Sequence, residues 1–296
     1  VASTDFRSEM VASDEILKRT SDQYRRIRNT FRFILGNLND FTDKNKVKFE
    51  DQVELDKWII NETKILQKEV LKLYESYSYH KAIQKIHNFC VNELGGIYLD
   101  IVKDRLYTCK NNSLARRSCQ TSLDFILNIL VRLIAPILSY TAEELWQTSN
   151  RLNTQEDSVF LSNFDVSEIN FDSNINQSEW KRIFEIKDAV NQSIEEMRNE
   201  NKIKGSLDSV VDIQATSNDL NVLKKLGDEL HFLFISSEAN VNKGKSFKIK
   251  VSPSKNTKCV RCWHRCSSVG SSKEHPELCN RCIENIENNG GQRSFV

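Results

Sequence analysis

The stretch SLDFILNILVRLIA, residues 122–135, decides the fold of this chain. Its apolar residues cover nearly the whole circumference of a helix, which is typical of a helix buried on all sides. Pro136 follows the stretch and ends it. Because such a helix needs other helices around it, the sequence predicts a mainly α protein built on an antiparallel helix bundle.

Amphipathic segments on both sides supply the other helices of the bundle. Apolar residues recur at three- to four-residue steps in three segments: 14–39, 55–74 and 83–101. The last segment contains Gly95 and Gly96, which we interpret as a close helix–helix contact or a kink, since each glycine costs about 1 kcal/mol in a helix. The residues from Thr141 to Glu144 form a capping-box pattern, which predicts the start of a fifth helix.

Beyond the bundle the composition changes, and smaller elements follow. Residues 147–177 are rich in Asn, Ser, Asp and Gln, as in a linker, and residues 178–202 read as a sixth helix. Alternating apolar residues at 211–215 and at 247–251 predict two strands. We therefore divide the chain into a helical bundle at 1–150, a linker at 151–177, a helix with a small α+β unit at 178–252 and a metal-binding module at 253–296.

Charge is distributed unevenly along the chain, although the net charge is only +1. Residues 243–296 hold eleven Lys and Arg against four Asp and Glu, whereas the rest holds 31 basic against 37 acidic side chains. A basic terminal segment on a mildly acidic body favours a polyanionic partner. The alternative is a basic tail that serves solubility.

Several classes of protein are not indicated by the sequence. No apolar run approaches the roughly 18 residues of a membrane span, and no signal peptide is apparent. Eight cysteines without a secretion signal indicate a reducing compartment. No phosphate loop, dinucleotide fingerprint or nucleophile elbow occurs, so we expect a binding unit without chemistry of its own. Because the first residue is Val1 and not methionine, we also expect a piece of a longer protein.

The strongest motif consists of two Cys-x-x-Cys pairs, Cys259 with Cys262 and Cys279 with Cys282, separated by sixteen residues. This spacing can place four sulfurs tetrahedrally around one zinc ion, leaving no open position for a substrate. The sequence therefore predicts one structural Zn²⁺ that supplies folding energy to a short segment. A redox or disulfide pair is the alternative chemistry, and three nearby residues could each replace a ligand: His264, His275 and Cys266.

Two groups of residues are candidates for contact with nucleic acid. Trp263 lies between Arg261 and Arg265, an arrangement that suits stacking on an unpaired base, although Trp263 could equally form a small core for the module. A stripe of basic residues runs along one side of the first helix. Their charged groups can contact phosphates, or their aliphatic stems can cover the rim of the packed face of the helix. Its members are Lys18, Arg25, Arg28 and Arg32.

Several segments, taken together and in order, carry a resemblance to a known family. They are VASTDF at 1–6, SDEILKR at 13–19, YRRIRNT at 24–30, YLDIVKDRLY at 98–107, ARRSCQT at 115–121, APIL at 135–138, TAEELW at 141–146, CVRCWH at 259–264 and CNRC at 279–282. These segments resemble the anticodon-binding helical domain and the C-terminal zinc module of bacterial isoleucyl-tRNA synthetases, a class I family. The helical motifs are shared more loosely with valyl, leucyl and methionyl relatives.

The resemblance implies a function that the motifs alone do not give. A parent enzyme of this family joins isoleucine to tRNA(Ile) with ATP and removes mischarged valine in an editing domain. The family's ATP-binding signatures, HIGH and KMSKS, are missing here, so the chain is expected to lack catalytic residues and to be inactive alone. We expect tRNA(Ile) as the partner, a monomer, a cytoplasmic location and no membrane association.

The family's tRNA-contacting surfaces would fall on the bundle and on the zinc module. We predict contacts from seven residues: Arg25, Arg28, Arg105, Arg116, Arg117, Arg261 and Trp263. Three competing interpretations remain at this point: a zinc-ribbon DNA-binding protein, a module that holds a protein partner, and the same region of a synthetase for another amino acid. A preference among duplex DNA, different tRNAs and no nucleic acid would separate them.

Overall fold

The structure is a computed structural model that describes residues 2–149, 152, 156–164, 172–287 and 290–296. In these ranges the chain is mainly helical, which confirms the predicted class. The helices are α1 (Asp14–Asn37), α2 (Glu54–Glu75), α3 (Tyr79–Phe89), α4 (Leu99–Thr108), α5 (Leu114–Ile134), α6 (Ser139–Thr148), α7 (Gln177–Asn199), α8 (Ser217–Lys224), α9 (Leu230–Leu233) and α10 (Asn280–Glu287). The strands are β1 (Ser209–Ala215), β2 (Glu238–Lys243) and β3 (Lys248–Pro253).

The chain forms two compact units, and each unit is assembled from separated segments. The first unit comprises Val1–Lys48, Ile59–Asp100 and Arg117–Asp172. The second unit comprises Phe49–Trp58, Ile101–Arg116 and Ser173–Val296. Helices α2, α4 and α5 therefore each contribute residues to both units.

The first unit is a helical assembly with an apolar core. Helix α5 is buried along its length, as its apolar circumference predicts, with Ile126, Leu127 and Leu130 fully inaccessible. Helix α1 buries Ile27, Phe31 and Ile34 but leaves Leu17 63% exposed. The periodic pattern predicted Leu17 on the buried face, and the exposure shows that only the C-terminal part of α1 is packed within this unit.

A nine-residue π-helical segment, Cys90–Tyr98, joins α3 to α4. It contains Gly95 and Gly96, the pair interpreted as a close helix contact or a kink. A Cβ atom on Gly95 would lie 3.0 Å from the carbonyl oxygen of Cys90, and one on Gly96 would lie 3.4 Å from that of Val91. The glycines therefore accommodate the segment's own backbone, which a wider helical turn brings close.

The capping-box prediction at Thr141 is wrong. Helix α6 begins two residues earlier, at Ser139, and Leu138 precedes it without a side-chain capping hydrogen bond. The Thr141 hydroxyl instead lies 3.0 Å from the hydroxyl of Tyr24, and Glu144 binds Arg28 on α1. Tertiary partners thus take the two side chains that would have capped the helix.

The second unit contains a small sheet in the order β2-β1-β3, with β2 parallel and β3 antiparallel to β1. Residues Val211, Ile213 and Ala215 of β1 are buried, and α7 and α8 contact the sheet. Helix α7 begins with a capping box in which Asn176 and Glu179 bond reciprocally. The alternating patterns predicted β1 and β3 but missed β2, whose sequence EANVNK is too polar to be recognised as a strand.

Buried charges and aromatic rings organise the rest of the second unit. Trp58 packs against Phe184, with ring centroids 4.6 Å apart, and Phe184 stacks on Trp180 at 5.3 Å. The Glu54 carboxylate accepts hydrogen bonds from the Ser173 hydroxyl at 2.6 Å and from the Asn174 amide at 2.9 Å. Such fully bonded carboxylates are tolerated in a low-dielectric interior.

The predicted linker at 151–177 lies partly outside the described residues. Of it, Val159–Leu161 form a short 3₁₀ turn, and the Ser158 hydroxyl accepts a hydrogen bond from the Phe160 amide. Among the helices that the structure describes, none combines the length and the apolar character needed to cross a membrane.

Candidate metal centre and nucleic-acid surface

The first cysteine pair lies on a tight knuckle in the second unit. Lys258 and Arg265 form an isolated antiparallel bridge, and the Cys259 amide donates to the carbonyl of His264 at 2.9 Å. Trp263 closes the turn with φ +67°, in the left-handed region that non-glycine residues seldom adopt. This strained turn holds Cys259 and Cys262 on the same side of the backbone.

The second pair is placed by the N-terminus of α10. Cys279 directly precedes the helix and Cys282 lies in its first turn. The Cys279 amide lies 3.4 Å from the Cys259 sulfur, so the helix start and the knuckle are in contact. A helix N-terminus favours anionic groups, and this includes thiolates.

The four sulfurs form one buried cluster. Their Sγ atoms all lie within 4.8 Å of one another, and Cys262 and Cys279 are 3.7 Å apart. A tetrahedral zinc site with Zn–S bonds of about 2.3 Å requires sulfurs about 3.8 Å apart. The observed spacing therefore fits Zn²⁺ and is too wide for disulfide bonds, which join sulfurs at about 2.05 Å.

The electrostatics of the cluster also favour a cation. Hydrogen bonding with Cys279 raises the pKa of Cys262 to about 11. Hydrogen bonds that Cys279 accepts from Cys262 and from neighbouring cysteines lower the pKa of Cys279. Several negative sulfurs in one buried site would repel each other. A divalent cation removes that conflict by compensating the charge of all four sulfurs.

The three alternative ligands are engaged elsewhere or lie outside the cluster. His264 directs Nδ1 to the carbonyl of Cys262 at 3.2 Å, and its ring packs against His231 and Phe232. His275 pairs with Glu287 at 3.0 Å. Cys266 packs against the cluster but does not belong to the four-sulfur group, so the cysteine tetrad is the best ligand set among the described residues.

An arginine between the second pair of cysteines attaches the four-cysteine cluster to α4. Arg281 donates two hydrogen bonds to Asp104, at 2.6 and 2.8 Å, and Arg293 donates a third at 2.9 Å. Burial alone would raise the pKa of Asp104, but Arg281 and Arg293 outweigh it and hold that pKa well below its usual range. Asp104 is therefore a charged anchor for the metal segment, a role that the sequence pattern did not predict.

Two further contacts complete this attachment within the second unit. Arg261 donates to the carbonyl of Thr108 at 2.6 Å and lies 3.8 Å from the sulfur of Cys282. The amide of Lys110 donates to Asn285 on α10 at 3.0 Å. Arg261 thus links a helix end to a ligand sulfur, the kind of outer-shell contact that orients metal ligands.

The arginines predicted to contact tRNA divide into buried and exposed groups. Arg105 is 1% exposed and forms a bidentate pair with Asp56 at 2.6 and 2.8 Å. Arg117 is buried and donates to Gln120 at 2.7 Å. Arg116 donates to the backbone carbonyl of Leu106 at 3.3 Å. These three guanidiniums bond within the protein, and the burial of Arg105 and Arg117 leaves little of either side chain accessible at the surface.

Three other predicted contacts, Arg25, Arg28 and Trp263, lie at the surface. In the first unit, Arg28 forms a two-bond pair with Glu144, at 2.6 and 2.7 Å, and Arg25 pairs with Asp22 at 2.9 Å. In the second unit, Trp263 is 60% exposed, which disfavours the small-core interpretation. The Lys258 ammonium lies over the Trp263 ring, 5.2 Å from its centroid, so an aromatic face and a cation lie together at the surface.

Comparison with known proteins gives the class of protein that this fold and site define. Residues 56–214 match the family described as "Anticodon-binding domain of tRNA ligase", and the chain belongs to that family. Residues 257–285 match the family described as "Zinc finger found in FPG and IleRS". The cysteine cluster lies inside the second match, and together the two observations indicate a zinc-binding segment.

The relatives narrow the comparison to one kind of ligase. The chain is 43% identical over its full length to isoleucine–tRNA ligases from Teredinibacter turnerae and Pectobacterium atrosepticum, and 44% identical to the one from Ruthia magnifica. It covers 33% of each of these proteins. The chain thus spans about a third of the length of the curated relatives that it matches.

Proposed function

We propose that this chain binds the anticodon stem-loop of tRNA(Ile) as one part of an isoleucine–tRNA ligase that uses ATP. The observation that carries the proposal is the anticodon-binding match over residues 56–214, on a chain 43% identical to such ligases throughout. Because those relatives are about three times longer, activation of isoleucine, its transfer and editing belong to other parts of the parent enzyme. The chain alone is then expected to be inactive.

The metal in this proposal is one structural Zn²⁺. Its ligands are Cys259, Cys262, Cys279 and Cys282, whose spacing and burial support a closed tetrahedral site. When bound, the ion supplies folding energy and no reaction step. The chain's own residues, chiefly Arg281 and Asp104, then fix the segment to α4.

The tRNA contacts in this proposal come from exposed groups. Trp263 with Lys258 offers a face for one unstacked anticodon base and a charge for its phosphate. Arg25 and Arg28 are accessible and held by exposed carboxylates, a kind of pair worth little in water, so phosphates can compete for them. Arg261 acts by orienting the knuckle, since its guanidinium is bonded to Thr108.

The proposal places the protein with the translation machinery, as a monomer in the cytoplasm. Its role is positioning: binding at the anticodon orients the tRNA so that the distant acceptor end reaches the catalytic part. Phosphate contacts should make binding sensitive to salt, while unstacked bases supply the choice among tRNAs.

Filter binding of the purified, zinc-loaded chain to a panel of tRNAs and to duplex DNA tests this proposal. We expect tighter binding to isoleucine tRNA than to valine, leucine or methionine tRNA, and little binding to DNA at moderate salt. Preference for another tRNA would assign the chain to a different ligase. Equal binding to every nucleic acid, or none, would contradict anticodon recognition by this chain.

A further inference from the structure

A strongly basic stretch begins between the two family matches and continues into the second match. From Ala239 to Lys273 the sequence contains seven lysines and two arginines and no Asp or Glu. The two arginines are committed within the fold, Arg261 to Thr108 and Arg265 to Asp208 at 2.7 Å. The lysines therefore carry the uncompensated charge, and most of them lie on or beside the small sheet, outside residues 56–214 and 257–285.

Three of these lysines are held together by the connection from β2 to β3, which crosses the C-terminal end of β1. The Gly244 amide donates to the carbonyl of Ala215 at 2.8 Å, which fixes the connection on the end of β1. A Cβ atom on Gly244 would lie 2.8 Å from the Cβ of Gln214, so only glycine permits this approach. Phe247, under the Arg182 guanidinium at 5.7 Å, anchors the other end of the connection.

The anchored connection presents its lysines to solvent. Lys243, Lys245 and Lys248 are exposed and, within the part of the chain that the structure describes, lie beyond ion-pair distance of any carboxylate. Lys243 pairs in register with Ala215 and Lys248 with Gln214, so both flank the end of β1. Because β1 lies between their strands, their backbones are two strand spacings apart, about 10 Å.

Acidic groups on the open face of the sheet lie away from this end. Asp212 and Glu238 both accept hydrogen bonds from Asn240, at 3.1 and 3.0 Å. Lys250 is paired in register with Asp212, and we leave it out of the site for that reason. The lysine connection, Lys243–Lys248, thus carries three positive charges at the end of β1, with Lys243 in register with the covered face of the sheet and Lys248 with the open face.

We propose that the lysine connection is a second binding site for tRNA, which holds the sugar–phosphate backbone and reads no base. The inference rests on the proposed function and adds a surface to it. Lysine is a point charge without the planar fork of arginine, which suits phosphate contact more than base recognition. The neighbouring exposed groups, Gln214, Asn242 and Ser246, are polar and can bind phosphate or ribose oxygens.

The same composition disfavours a protein partner at this site. Protein interfaces depend on buried aromatic or aliphatic anchors at their centre. No large apolar side chain among the described residues of the lysine connection is exposed, since Phe247 is half-buried beneath Arg182. Charge complementarity therefore points to a polyanion with a regular backbone.

The test compares the salt dependence of tRNA binding among charge variants of the full chain. In one variant Lys243, Lys245 and Lys248 are all changed to Gln. A conservative variant changes the same three residues to Arg. A matched control changes three exposed lysines elsewhere to Gln: Lys72, Lys81 and Lys224. Zinc content and the unfolding midpoint verify that each variant is folded.

We expect the first variant to lower the slope of log K against log[salt] by about 2, since each phosphate contact contributes roughly 0.7–0.9. The preference for isoleucine tRNA over other tRNAs should stay the same, and the Arg variant should keep the wild-type slope. An unchanged slope in the first variant, or an equal loss in the matched control, would overturn the inference while wild-type binding upholds the proposed function. Absence of tRNA binding by the wild type would overturn both.

Discussion

Asp104 is the residue on which the attachment of the metal segment depends most. Its carboxylate accepts two hydrogen bonds from the Arg281 guanidinium and one from Arg293. Both guanidiniums also lie over the Phe232 ring. Charge-assisted bidentate pairs of this kind are the stronger hydrogen bonds in proteins. Removing the carboxylate charge would leave two largely buried guanidiniums without their partner.

We predict that Asp104→Asn lowers the free energy of unfolding by about 3 kcal/mol at neutral pH. Because the folded-state pKa of Asp104 is depressed, its contribution is fully present above the unfolded pKa of about 3.9. It is lost as the pH falls from there toward the lower folded-state pKa. Urea unfolding at several pH values should thus show a constant difference from wild type above about pH 5, which shrinks below about pH 4.

Asp188→Asn serves as the control for that measurement, because Asp188 lies exposed on α7. It should leave the unfolding free energy within about 0.5 kcal/mol of wild type. A similar loss in both variants, or an Asp104→Asn variant as stable as wild type, would show that the carboxylate does not anchor the segment.

Cys282 and Cys266 provide a matched pair for the ligand assignment. We predict that Cys282→Ser abolishes stoichiometric zinc, because a hydroxyl at that position cannot complete the four-thiolate site. Cys266→Ser should retain one zinc per chain, since Cys266 packs beside the tetrad without belonging to it. Metal analysis by mass spectrometry checks both variants, and full zinc in Cys282→Ser would refute the proposed ligand set.

Trp263 tests whether the knuckle stacks on a base. We expect Trp263→Ala to weaken binding of isoleucine tRNA by about 1–3 kcal/mol, the usual range for one base–aromatic stack. Val260→Ala removes a neighbouring exposed apolar side chain and should have little effect. Equal affinities for the two variants would leave Trp263 without a role in tRNA binding.

In the π-helical segment Cys90–Tyr98, the adjacent residues Gly95 and Gly96 differ in how well they can accommodate a Cβ atom. Both are exposed, so a substitution changes little besides local backbone contacts. Alanine is favoured over glycine in a helix by about 1 kcal/mol. At Gly96 the added Cβ meets the nearest carbonyl at 3.4 Å, an ordinary contact, whereas at Gly95 the distance is only 3.0 Å.

We predict that Gly96→Ala raises the free energy of unfolding by up to about 1 kcal/mol. Gly95→Ala should be clearly less stable than Gly96→Ala, because the contact with the Cys90 carbonyl offsets the gain. Thermal or urea unfolding of the two variants gives the order directly. A Gly95→Ala variant as stable as Gly96→Ala would mean that the π turn does not constrain this position.

Elements with a strong apolar period were predictable from the sequence, and those set by tertiary partners were not. The positions of α5 and α7 followed from their own side chains, as did β1 and β3. The start of α6 did not, because Thr141 and Glu144 bond to α1 in place of the backbone. Strand β2 was not predicted from the sequence, because it is held by pairing with β1 and has no apolar alternation of its own.

The candidate functional site was likewise predictable from the sequence only in part. The cysteine spacing alone predicted the tetrad, because four ligands must meet at one point in a short segment. The tRNA contacts did not follow as readily, since an arginine in the sequence gives no sign of its burial. Arg105 and Arg117 proved to be internal donors, and Asp104, Arg281 and Arg293 were found only from their geometry.

For the molecule as a whole, we propose that this chain contributes tRNA binding and that the rest of the parent enzyme contributes the chemistry. In the proposed function zinc orders the knuckle that carries Trp263, and Asp104 and Thr108 of α4 hold the metal segment. The proposed backbone site on the lysine connection would add affinity without base selectivity. Affinity for tRNA should therefore reside in the anticodon arm and survive removal of the acceptor end.

The most direct test is the affinity of the zinc-loaded chain for two halves of isoleucine tRNA, measured by equilibrium binding against the intact molecule. We predict that an RNA hairpin with the anticodon stem-loop retains most of the binding free energy and that an acceptor-stem minihelix binds far more weakly. Replacing the anticodon bases of the hairpin should also weaken binding. Tighter binding of the acceptor minihelix, or equal binding of hairpins with different anticodon bases, would contradict anticodon recognition by this chain.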